Sequence, residues 1–90
     1  MSENIIQVSI DTALEVADLV QQLASGVIAT DPNADSRLQT ESIHQRRTYV
    51  SRHLQHLKRL MTQTWFTDAI TMEQFTTINS AIVAGEDYLD

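Results

Sequence analysis

Four side chains of the 90-residue chain have types and spacing suited to binding chemistry: Arg46, Tyr49, His53 and His56. Steps of three and four residues keep them on one strip of a helix turning about 100° per residue. A guanidinium fork, a phenol and two imidazoles combine hydrogen-bond donors with flat aromatic faces, which suits a phosphate, a nucleotide or a carboxylate. The competing account is structural. The same strip can serve as the polar, aromatic edge of a helix interface, with the Arg46 stem lying along a neighbouring acidic helix.

Other chemistries find less support. His53 and His56 stand close enough to share a metal, but two ligands do not make a site. His44, the remaining histidine, falls on another face, and the chain has no cysteine. No metal or cofactor is therefore expected. A phosphoacceptor histidine of the phosphotransfer type wants a lysine three residues on with a small residue after it, whereas His56 is followed by Arg59 and Leu60. No serine or threonine sits on a glycine-flanked elbow, and Gly26 and Gly85 alone cannot form a phosphate-cradling loop. The neighbouring carboxylates of Glu86 and Asp87 read as solvated. A non-enzyme is the expectation.

Charge is segregated along the chain. Glu3, Asp11, Glu15, Asp18, Asp31 and Asp35 precede the first base. Arg37, Arg46, Arg47, Arg52, Lys58 and Arg59 are all the bases, interrupted only by Glu41. Asp68, Glu73, Glu86, Asp87 and Asp90 close the chain, and the net charge is −6. Such a chain repels bulk nucleic acid and anionic membranes while its basic strip can still hold a compact anion. DNA is not an expected partner, because the acidic flanks cancel the attraction beyond a Debye length of about 8–10 Å.

The elements that must position the strip are helical. Leu, Ile, Val and Phe make up 24 of 90 residues, enough for a thin core. Ile6, Ile10, Ala13, Leu14, Ala17, Val20, Leu23 and Ala24 occupy one broad half of a helix predicted from about 4 to 28, although Ile6, Val8 and Ile10 also alternate as in a strand. Ser9 or Asp11 could cap a later start. Pro32 falls in a loop over 29–36, with Asn33, Asp35, Ser36 or Thr40 and Glu41 as caps for the next helix. This second helix is predicted from about 36 to 65, with Ile43, Val50, Leu54, Leu57 and Met61 as its apolar stripe. Thr71 and Gln74 have the spacing of a capping box, opening a third helix over 71–88. Its apolar side is read as Met72, Phe75, Ile78, Ile82 and Leu89, with Gly85 loosening the last turn.

These elements predict one all-α domain over 1–90, a three-helix bundle built on a long antiparallel helical hairpin with the third helix laid across it. The start Met1-Ser2-Glu3-Asn4 has no basic stretch, and no apolar run reaches the roughly 20 residues that span a bilayer, so a cytoplasmic protein that avoids membranes is expected. The functional expectation is a small acidic regulatory or adaptor protein that binds an unidentified protein partner and self-associates as a dimer or larger homo-oligomer. Its interface is expected at Ile10, Leu14, Val20, Leu23, Trp65, Phe66 and Tyr88. The alternative is a homo-oligomeric sponge for an anionic small molecule such as a nucleotide, as in viral anti-defence proteins, with Arg46, Tyr49, His53 and His56 as ligand groups.

Overall fold

The computed structural model describes residues 3–25 and 43–90. They form four helices: α1 Glu3–Ser25, α2 Ile43–Leu60, α3 Thr64–Thr67 and α4 Met72–Leu89. There is no strand among the described residues. None of these helices is long and apolar enough to cross a membrane.

The alternation at Ile6, Val8 and Ile10 belongs to helix α1, which is continuous from Glu3. Ser9 and Asp11 are spent inside it, not at a cap. Ser9 donates its hydroxyl back to the Ile5 carbonyl at 2.9 Å, and Asp11 accepts from the Gln7 amide at 2.9 Å. The capping box of α4 is present. The Gln74 N–H donates to the Thr71 hydroxyl at 3.1 Å, while the Thr71 N–H donates to the Gln74 side chain at 2.9 Å. The proposed loop over 29–36, its caps and the helix over 36–42 lie outside the described residues.

Helix α2 ends at Leu60, short of the expected Trp65, without glycine or proline. The stop is made by hydrogen bonds instead. The N–H groups of Thr62 and Gln63 reach back only three residues, to Arg59 and Leu60, and the Thr62 hydroxyl donates to the Arg59 carbonyl at 2.7 Å. Gln63 then adopts extended backbone and α3 starts as a separate turn. This bend carries Phe66 into the core, fully buried, with Trp65 edge-on beside it at 5.9 Å between ring centroids.

Helix directions follow from which ends meet. Val20, Val50 and Leu54 all approach Gly85, and Arg47 near the start of α2 reaches the last carbonyls of α4. A shallow open depression is lined by Ala24 and Ser25 from the end of α1 and by Asp87 and Tyr88 from the end of α4. Helices α1 and α4 therefore run in the same direction, and α2 runs against both. Helix α4 packs on both α1 and α2, most extensively on α1, and α3 also contacts α1.

The main core joins Ile10, Ala13, Val16, Ala17 and Val20 of α1 to Leu54, Leu57, Phe66, Ile78, Ala81 and Ile82. Leu23 and Val50 form a smaller cluster beneath Leu19, Tyr88 and Leu89. Gly85 does not loosen the last turn of α4; it is buried where three helices come closest. A β-carbon there would stand 3.1 Å from Val20 Cγ1 and 3.3 Å from Leu54 Cδ1. The apolar side expected for α4 is also rotated. Met72 is 79% exposed and Phe75 42%, because the buried face is centred on Ile78, Ala81, Ile82 and Gly85.

Candidate functional site

The strip from Arg46 to His56 runs along one flank of α2. Helix geometry assigns the flank. Taking Val50 as the inward direction, Arg47 and Lys58 lie about 60–80° to one side, and Tyr49 and His56 about 100–120° to the other. Arg47 and Lys58 both touch α4. The strip is therefore on the edge beside α1.

Tyr49 and His53 are brought together there. Their rings are nearly parallel, at 7°, with centroids 6.0 Å apart, an offset stack one helical turn long. His53 is half-buried, whereas Tyr49 and His56 are exposed. Arg46 is half-buried, and its Nε is buried with no hydrogen-bond partner. A buried donor left in that condition costs about 1–3 kcal/mol, and it is the one buried side-chain polar atom without a partner among the described residues. Next to the strip, Gln45, Thr48, Tyr49 and Arg52 line an open surface depression. Among the described residues no group of three or more His, Asp or Glu side chains comes together to hold a metal.

Two other bases of α2, Arg47 and Lys58, reach α4. Arg47 donates to the Leu89 carbonyl at 2.9 Å and to the Tyr88 carbonyl at 3.4 Å, with its guanidinium carbon 6.0 Å from the Tyr88 ring centroid. Helix α4 has no base in its own last turn, so a base from α2 supplies the positive charge that its C-terminal dipole favours. Lys58 pairs with Glu86 at 3.8 Å, both half-exposed, so the pair contributes at most about 1 kcal/mol. Arg47→Ala should lower stability by about 1 kcal/mol, read as a lower urea midpoint at unchanged slope, and Lys58→Ala should move it less.

The expected interface residues fare unevenly. Ile10, Val20, Leu23 and Phe66 are buried in this chain's own core, which leaves them no surface for a partner. Sequence reasoning credited α1 with more apolar circumference than one helix covers, and three elements contact it. Leu14, Trp65 and Tyr88 are half-buried. Among the described residues, the large apolar side chains that remain outside are Ile5, Val8, Tyr49, Met72, Phe75 and Val83. Val8 lies off the core stripe of α1, a displacement visible in the sequence, whereas Met72 and Phe75 continue the apolar stripe read for α4 and stay exposed at its first turn.

No family model, curated protein or solved structure matches this chain.

Proposed function

We propose that this chain is a small non-enzymatic adaptor or regulatory protein that acts by binding protein, first of all a second copy of itself. One observation carries the reading: among the described residues, six large apolar side chains stay on the surface, Val8 at 62% and Val83 at 50% exposure among them. Such groups on a small monomer are a common mark of an association surface when they lie on one face. We further read α1 and α2 as the antiparallel hairpin of a three-helix bundle completed by α4, in a cytoplasmic protein. Charge separation between α1, α4 and the basic α2 supplies orientation more than affinity. Sedimentation of the full chain from about 1 µM to about 1 mM tests this, with an apparent mass that rises toward the dimer as the expected result. A monomer throughout that range would sink the proposal.

A second reading is favoured by the unpartnered Arg46 Nε beside the Tyr49–His53 stack. It is capture of an anionic small molecule such as a nucleotide. Melting of the chain with a nucleotide panel is the check. A true ligand at a hundredfold excess over its Kd stabilises by about 2.7 kcal/mol. Arg46→Ala and His53→Ala should then remove the shift without lowering the unliganded melting point by more than a few degrees. A flat response to every nucleotide eliminates this reading.

A further inference from the structure

We infer that the second copy docks on the face shared by α1 and α2, each α1 lying antiparallel on the partner's α2 about a twofold axis parallel to the helices. The inference rests on the self-association proposed above and specifies its geometry. On α1, Ile5, Val8, Glu15 and Leu19 share one flank, at spacings of 3, 7 and 4, with Ile5 and Val8 reaching past the end of α2. Ile5, Val8 and Glu15 are exposed; Leu19 is half-buried against the Leu23–Val50 cluster, which places this flank next to α2. On α2, Tyr49, Arg52, His56 and Arg59 form the matching stripe at spacings of 3, 4 and 3, all exposed, on the edge turned toward α1.

Charge selects the arrangement. The stripe of α2 carries two arginines and a histidine with no carboxylate, and the stripe of α1 carries Glu15 with Asp11 and Asp18 exposed alongside. A twofold axis perpendicular to the helices would set α2 on α2 and face arginine with arginine. The parallel axis sets α1 on α2 and keeps every residue at its own height. Val20 is level with Val50 and Leu54, since all three meet Gly85. With a rise of about 1.5 Å per residue and opposed directions, Glu15 falls within about 3 Å of the height of Arg59, and Leu19 falls between Arg52 and His56. Each dimer then contains two Glu15–Arg59 contacts. In this register Ser25 is level with about residue 47 and Leu60 with about residue 12, so the shared face is about 20 Å long and about 20 Å wide across two helices. That buries about 800 Å² in total, below the usual range of specific interfaces, so a weak dimer with a Kd toward the millimolar end of the range is expected.

Charge reversal followed by sedimentation tests the geometry. Glu15→Arg alone and Arg59→Glu alone should each weaken the dimer about tenfold or more, with far-UV circular dichroism and melting point unchanged, because both positions are exposed. An equimolar mixture of the two variants should recover dimer, since each contact between unlike chains again joins an arginine to a glutamate. A wild-type dimer unaffected by either reversal would retain self-association and overturn this face. Loss of dimer in both variants without recovery in the mixture would overturn the α1-on-α2 arrangement. A wild-type monomer across the range would overturn the inference together with the reading beneath it.

Discussion

Phe66→Ala should lower stability by about 3–5 kcal/mol, the usual cost of removing a fully buried phenyl ring. A chain of this length has a net stability of roughly 5–13 kcal/mol, so the loss is a large fraction of the whole. The melting temperature should fall by roughly 15–30 °C. The position is demanding for two reasons. Phe66 packs in the same cluster as Ile10, Leu57 and Ile78, so its removal opens a cavity where α1, α2 and α4 meet. It also fastens the 61–71 connection to the core, because the remainder of α3 is half-buried or exposed. Phe66→Leu should cost less than half as much by filling most of the space. A melting curve for Phe66→Ala within a few degrees of wild type would show that the ring is not where the structure puts it.

The second large effect belongs to Gly85. Gly85→Leu should reduce stability by about 3 kcal/mol or more, because side-chain atoms beyond the β-carbon would have to occupy the volume of Val20, Val50 and Leu54. Gly85→Ala behaves differently. Alanine is worth up to about 1 kcal/mol over glycine inside a helix, and contacts of 3.1 and 3.3 Å ask Val20 and Leu54 to yield by a few tenths of an ångström. The two effects nearly cancel, so alanine should change stability by less than about 1 kcal/mol. Denaturant titration of both variants separates helix propensity from helix contact. A well-tolerated leucine would mean that α1 and α2 are further from α4 than described.

The contrast between these two positions explains how much of the fold was legible in the residues. Val50, Leu54 and Leu57 were readable because large apolar side chains at 3 and 4 spacings have one solution, a buried stripe. Thr71 and Gln74 were readable because a reciprocal cap is local. Ala81 and Gly85 were not readable, since a small residue marks a close approach only once the neighbouring helix is known. The exact end of α2 at Leu60 was not readable for a related reason: it depends on a threonine hydroxyl turning back on Arg59 and on the depth to which Phe66 must sink. The candidate site shows the same division. Arg46, Tyr49, His53 and His56 share a flank by spacing alone, and the Tyr49–His53 stack follows from their separation of four. Which helix borders that flank was fixed by Arg47 and Lys58, whose contacts with α4 lie some 40 and 28 positions away in sequence.

The shared direction of α1 and α4 has a consequence for the order of assembly. Helix α2 can meet α4 after closing only the segment 61–71, whereas α1 and α4 must close 26–71, which costs roughly 1 kcal/mol more in loop entropy. During synthesis α1 is thus separated from α4, on which it packs most extensively, by about half of the 90 residues. At about 5–20 residues per second, α1 waits on the order of seconds with Ala13, Ala17 and Val20 uncovered by their eventual neighbours. Of the four described helices, the one that precedes the others waits longest for its burial to be completed.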